Sequence, residues 1–174
     1  MKLFANLFGQ SHSELSQIAT IARSSISTIA IHTAIEDEDD GFLYLVPQLI
    51  VDETEIVDLD GAALDLAELQ RSVDRDGEFF IFTCWCGDPG CGGINAGVCV
   101  SHKGDIVTWE VPQLVGVGRS QFTFLRSTLI AALENGVAEA RELFFQTQQT
   151  TEKKLEIVPD INTAVLGLKT VADQ

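Results

Sequence analysis

The chain has 174 residues and a mass of 18.9 kDa, enough for one ordinary domain with a genuine core and little left for a second. An apolar fraction of 45% and a mean hydropathy of +0.17 exclude a disordered chain, a coiled coil and a low-complexity scaffold. Eleven Lys and Arg stand against 26 Asp and Glu, a formal charge of −15 with pI near 4.3; such a molecule repels phosphate backbones and anionic lipid, which disfavours nucleic-acid and membrane-surface partners.

The first eight residues hold a short apolar run that Asn6 interrupts, whereas an export signal needs ~7–15 apolar residues and a small-residue cleavage site. No stretch approaches the ~20 apolar residues of a spanning helix, so a cytoplasmic location is expected. Leu15, Ile18, Ala19, Ile21 and Ala22 share one face of a predicted short helix, with Ser13 as its N-cap. A strand-like segment, 26–33, carries His32, and its apolar setting predicts a core histidine rather than a ligand. Glu36, Asp37, Glu38, Asp39 and Asp40 then follow without interruption. Such a run reads either as a solvated, self-repelling loop or as a steering face for a cationic partner.

Phe42 to Val51 is a second predicted strand, in which Pro47 argues for an edge or a bulge, and Thr54 to Leu59 a third. Asp60-Gly61 is expected to open a helix carrying Ala63, Leu64, Ala67 and Leu69. The strongest strand series is Glu78–Trp85, Ile94–His102 and Asp105–Val111, with Lys103-Gly104 as a tight turn between the last two. Val115-Gly116-Val117-Gly118-Arg119 lacks the third glycine of a dinucleotide fingerprint and reads as a loop. Gln121 to Phe124 is a short strand. Ser127 to Phe145 is a helix with Leu129, Ile130, Leu133, Val137, Ala140, Leu143 and Phe144 in one stripe; Gly136 weakens it by roughly 1 kcal/mol against alanine and suggests a close packing point. Leu155–Val158 is a last short strand, and the final 15 residues carry no assignment. Strands and helices segregate more than they alternate. The expected fold is therefore α+β: a mostly antiparallel sheet with the long helix 127–145 and one or two shorter helices packed on it. One domain, 1–174, is expected, with an acidic front part at 24–70 and a cysteine-containing β-hairpin region at 78–111.

All four cysteines, Cys84, Cys86, Cys91 and Cys99, fall within sixteen residues. Asp88-Pro89-Gly90-Cys91 has the residues of a type II turn, which brings Cys86 and Cys91 together at a hairpin tip. Three chemistries stay open: reduced thiols, a structural zinc, and a Cys86–Cys91 disulfide or redox pair. Cys84, Cys86 and Cys91 are the ligands if zinc is bound. The fourth ligand is the difficulty, because Trp85 opposite Ile94 would set Cys99 near Phe80, on the order of 13 Å from Cys84. Cys99 then reads as a core thiol, and the expectation is no cofactor. The order Cys86-Gly87-Asp88-Pro89-Gly90-Cys91-Gly92, then Val107-Thr108-Trp109, then Phe122-Thr123-Phe124 before a helix resembles a group of small uncharacterised bacterial proteins. They share a Cys-Gly-Asp-x-Gly-Cys-Gly element and a Val-x-Trp strand. The resemblance covers about residues 79–140 and implies a hairpin-with-loop arrangement, with no established activity.

Other motifs are negative. His12, His32 and His102 are not paired at metal-ligand spacing, and no nucleophile elbow, phosphate loop or zinc-protease element occurs. Aligning Gly41 or Gly61 with the EF-hand glycine puts Pro47 or Ala67 where a bidentate Glu belongs. The leading expectation is a non-catalytic acidic binding protein, most concretely a bacterial immunity or inhibitor protein that neutralises a basic, nuclease-like toxin domain. Glu36, Asp37, Glu38, Asp39, Asp40, Asp52, Glu53 and Glu55 would form its rim, and Tyr44 an aromatic anchor. The rival expectation is a zinc- or thiol-containing protein, structural or enzymatic, centred on Cys84, Cys86 and Cys91.

Overall fold

A computed structural model describes residues 26–56, 62–112 and 120–168. The predicted helix at 13–22 and the loop at 115–119 lie outside them. The described fold is α+β and mostly antiparallel. Strands β1 (Ile29–Asp37) and β2 (Phe42–Val51) form a long hairpin, Ile29 opposite Val51 and Asp37 opposite Leu43. A two-residue turn leads into β3 (Thr54–Glu55), which returns along the end of β2. Next come β4 (Ala62–Leu64), helix α1 (Leu66–Ser72), β5 (Gly77–Phe79) and β6 (Phe82–Cys84). They are followed by β7 (Val98–Lys103), β8 (Ile106–Glu110), β9 (Gln121–Leu125), helix α2 (Arg126–Thr150), β10 (Lys154–Ile157) and the one-turn α3 (Asn162–Val165). Three sheets result: β1-β2-β10 with β3 beside β2, the pair β4-β6, and β5-β7-β8-β9; β10 runs parallel to β2.

Alternation builds the core of the third sheet. Val98, Val100, Val107, Trp109, Phe122 and Phe124 are buried, while residues between them face out or lie half-buried. Trp109 meets Phe124 edge to face at 4.9 Å. These side chains join Leu45, Leu49, Leu64, Leu66, Leu129 and Leu133 in one apolar cluster. Helix α2 covers the β1–β2 hairpin, mainly through β1. The expected close packing point is there: a Cβ on Gly136 would lie 2.5 Å from the Cβ of Ile31. The helix is longer than its stripe predicts because polar residues extend it to Thr150. At its start, Arg126 donates to Val73 O at 3.0 Å and to Asp74 at 2.6 Å, placing a cation at the C-terminus of α1.

Several expectations are corrected. No helix begins at Asp60-Gly61: Ala63 and Leu64 belong to β4, and Asp65 caps α1, accepting the N–H groups of Ala67 and Glu68. The strand expected at 54–59 is limited to Thr54–Glu55 among the described residues, residues 57–61 lying outside them. The strand expected at 78–85 is two strands with different partners, β5 on β7 and β6 on β4, because the Asp65 N–H takes Ile81 O at 2.8 Å between them. The turn before β8 is Gly104-Asp105, one residue later than predicted. Pro47 sits in a middle strand rather than on an edge. Leu45 O accepts the Val158 N–H and Leu49 O the Ile56 N–H, so the intervening proline nitrogen faces the gap between β10 and β3 where no donor is needed. His32 is exposed, not core; its Nδ1 lies 3.3 Å from Glu139 on α2.

Asn162, fully buried, joins three segments. Its Oδ1 accepts the Leu66 N–H at 2.8 Å, and its Nδ2 donates to Leu64 O at 2.8 Å and Val158 O at 3.3 Å. Asn162→Leu leaves these backbone groups buried without partners, so urea unfolding is expected to show a loss of about 3 kcal/mol or more; a change under ~1 kcal/mol would mean that water replaces the amide. Gly136→Ala should also lower stability, by about 1–3 kcal/mol, although alanine is the better helix former. A raised melting temperature would show that α2 and β1 separate freely.

Candidate functional site

The acidic run does not form one loop. Strand β1 continues through Glu36 and Asp37, and Glu38 to Gly41 make the reversal, with Asp39 at φ 59° and Gly41 at φ 93°. The five carboxylates have different fates. Asp37 takes the Lys153 ammonium at 2.5 and 2.6 Å and accepts the Asp39 N–H, and these bonds hold its carboxyl below the usual range. Asp40 accepts the Tyr44 hydroxyl at 2.6 Å and the Phe42 N–H at 2.8 Å, which lowers it likewise. Glu36 differs: partial burial, then the charges of Glu38 and Glu55, push its carboxyl up. The hydrogen bond to Asp40 pushes the Tyr44 phenol up to about 12.

Register brings further residues to this face. Glu36 and Glu156 are the cross-strand neighbours of Tyr44 on either side, so Glu36, Tyr44 and Glu156 form a row across three strands. Asp52 and Glu53 lie instead at the opposite end of β2. They form the β2–β3 turn at φ 49° and 64°, and Asp52 accepts the Thr28 N–H at 2.8 Å. Glu55, on β3, pairs with Ile50 near the same end, although its charge still contributes to raising the Glu36 carboxyl. The expected rim is therefore brought together at Glu36–Asp40 and Tyr44, while Asp52, Glu53 and Glu55 gather at the other end of β2.

The cysteine loop starts from β6, where Cys84 pairs with Ala62. The sulfurs of Cys84, Cys86 and Cys91 all lie within 4.8 Å of one another, Cys84 half-buried and the other two exposed. Among the described residues no fourth His, Cys, Asp or Glu joins them. The Asp88–Cys91 turn closes, Cys91 N–H to Asp88 O at 3.2 Å, but positive φ falls on Gly87 (83°) and Gly93 (72°) rather than on Gly90. The expected type II turn is thus replaced: Gly90 N–H donates to the Asp88 carboxylate at 2.9 Å, which fixes the peptide differently. N–H donation from Cys86 to the Cys84 sulfur holds that thiol below its ordinary range, whereas the neighbouring sulfurs push Cys91 up to about 11. Cys99 is not a core thiol. It sits opposite Glu78 and Glu110 on the outer face of its sheet, lining a groove with both, because Val98 and Val100 take the inward positions.

Trp85 connects the two features. Its ring centroid lies 5.3 Å from that of Tyr44, tilted by 48°, over a small cluster of Val46, Ala63 and Val158. Both rings are half-buried. Sequence reasoning missed Trp85 and Glu156 as members of this face. The Cys-Trp-Cys alternation and the acid inside the predicted 155–158 strand were the available signals, but neither reports which strand lies alongside.

No protein-family model matches the chain, and no curated protein or solved structure is found to be similar to it. Among the described residues no helix is long and apolar enough to cross a membrane.

The chain has one tyrosine, so the Asp40–Tyr44 bond can be read directly by ultraviolet titration. The phenolate should appear with a midpoint of about 12. Asp40→Asn removes the carboxylate that disfavours the phenolate, so the midpoint should fall towards 10.0. An unchanged midpoint would place the perturbation elsewhere.

Proposed function

We propose that this chain is a non-catalytic acidic binding protein that docks a basic protein surface, most concretely as an immunity protein covering a cationic, nuclease-like toxin domain. The observation that carries the reading is the row Glu36–Tyr44–Glu156, with Trp85 packed on the tyrosine. Half-buried aromatic side chains make good anchors because they bring large area at low entropic cost, and they are enriched among interface hot spots. Acids around them steer a cationic partner and reject anionic ones. Glu36, Glu38 and Glu156 serve this role better than Asp37 and Asp40, whose charges already have partners inside the protein. A net charge of −15 adds a long-range field of the same sign. A nuclease toxin must be cationic to hold phosphate, so its surface complements this one. Nucleic acid and anionic membrane are repelled by the same field.

The test is kinetic, with the basic partner captured on the immobilised full chain and its nuclease activity assayed with and without the protein. Stoichiometric addition should suppress that activity. Neutralising Glu36, Glu38 and Glu156 together as Gln should slow association by roughly tenfold at low salt, with the difference shrinking as the Debye length falls to ~8 Å. Tyr44→Ala should act mainly on dissociation, accelerating it by roughly 30-fold if the ring is a hot spot. An association rate that ignores both the substitutions and salt would remove the steering face, and retention of full nuclease activity in the complex would remove the inhibitor reading.

A further inference from the structure

The loop between β6 and β7 is built to hold three sulfurs close together, and nothing in the preceding reading uses them. Their convergence is not a by-product of core packing, since Cys86 and Cys91 are exposed and Cys84 is only half-buried. It follows from the backbone. Gly87 N–H binds Cys84 O at 2.8 Å, Cys91 N–H binds Asp88 O at 3.2 Å, and Ile94 N–H binds Pro89 O at 2.9 Å. Gly87 and Gly93 adopt left-handed conformations that side chains rarely allow. The strand pairing of Cys84 with Ala62 fixes the first sulfur to the folded body.

We propose that Cys84, Cys86 and Cys91 form a three-thiolate site for a thiophilic divalent metal ion, zinc in the first instance, with a fourth coordination position open to solvent. Tetrahedral Zn–S bonds of ~2.3 Å set the sulfurs about 3.8 Å apart. The three sulfurs, within 4.8 Å of one another, reach that spacing by side-chain rotation of about an ångström. Thiolate ligands exclude calcium and magnesium, which take oxygen. Charge favours a divalent ion over Cu(I): three thiolates in a chain of net −15 are better neutralised by two positive charges than by one. Three protein ligands with an open fourth position is the arrangement in which zinc keeps a water or an exchangeable ligand. Cys99 is not part of the site, because it lies on β7 between Glu78 and Glu110. It serves as the internal control.

The experiment uses the full chain, reduced, freed of metal and titrated anaerobically with Co(II) and then Zn(II). One equivalent of cobalt should bring up the sulfur-to-cobalt charge-transfer band in the near ultraviolet and the intense visible bands of four-coordinate cobalt, and one equivalent of zinc should bleach both. Cys84→Ser, Cys86→Ser and Cys91→Ser should each weaken zinc binding by about 100-fold or more, at least the cost of losing a supporting outer-shell partner, whereas Cys99→Ser should leave it unchanged. Absence of the charge-transfer band in the wild-type protein overturns the proposal, whatever the folding of any variant. An equal loss in Cys99→Ser overturns the ligand set. A site that takes Cu(I) but neither Co(II) nor Zn(II) overturns the divalent assignment, and a reduced protein that takes no metal yet re-forms a Cys86–Cys91 disulfide in air identifies a redox pair instead.

Discussion

The buried amide of Asn162 is the interaction on which the remaining geometry depends. Two of its three hydrogen bonds fasten the segment after β10 to the end of β4 and the start of α1, and the third closes on Val158 within that segment. From there the connections divide. Strand β4 pairs with β6, and so fixes Cys84 and the loop that follows. Strand β10 pairs with β2, and so sets Glu156 beside Tyr44. A side chain that satisfies buried backbone donors and acceptors acts over a small volume, but losing it exposes the full desolvation cost of each group. Short strands need such a fixture. The three residues of β4 and the four of β10 make too few ladder bonds to hold position alone.

The acidic segment shows how a fold sorts like charges that are adjacent in sequence. Five consecutive carboxylates repel one another, and at the hairpin tip two of them gain partners the unfolded chain lacks. Lys153 comes to Asp37 from the turn before β10, and Tyr44 comes to Asp40 from four residues along β2. Neither pair is buried, so neither contributes a large stabilisation; their effect is on placement. They tie the exposed carboxylates of Asp37 and Asp40 to partners within the protein, and leave the half-buried Glu36 and the exposed Glu38 without such an ion pair or hydroxyl donor among the described residues. Lys154 lies over the Phe42 ring at 5.4 Å, so the two adjacent lysines of β10's start both serve the same hairpin end.

Local pattern was readable from the sequence wherever it was long and periodic. The long helix, expected over 127–145 and found over Arg126–Thr150, the strands β8 and β9 and the short β10 follow from stripes and alternation that need no knowledge of the rest of the chain. What could not be read was partnership. Ala62-Ala63-Leu64 has a helical composition and becomes a strand because it pairs with Phe82–Cys84, twenty residues on. The apolar run from Phe79 to Thr83 looks like one strand and serves two sheets. His32 looked buried because its neighbours are apolar, although strand parity turns it towards Glu139 at the helix edge. Cys99 looks like a core thiol for the same reason, its neighbours Val98 and Val100 being apolar; it pairs with Glu78, two residues from the expected Phe80, a shift that keeps the face, and parity turns it outward. Of the site, the thiols of Cys86 and Cys91 were within reach of turn chemistry. The row Glu36–Tyr44–Glu156 was not, since parallel pairing across more than a hundred residues leaves no local trace.

The two features of interest meet at one contact, and its character decides how they influence each other. Trp85 is the chain neighbour of both Cys84 and Cys86, and its ring lies 5.3 Å from Tyr44. A change of charge at the sulfurs reaches the carboxylates around Tyr44 only through partly exposed groups, where solvent screening with a Debye length of ~8 Å is strong. A change of loop conformation acts differently. It moves Trp85 directly, and an aromatic pair of this kind is worth about 0.5–1.5 kcal/mol beyond its buried area. Packing outweighs the field at this junction. The cysteine loop bears on the acidic face chiefly by deciding whether the tryptophan stays on the tyrosine, and only secondarily by the charge it carries.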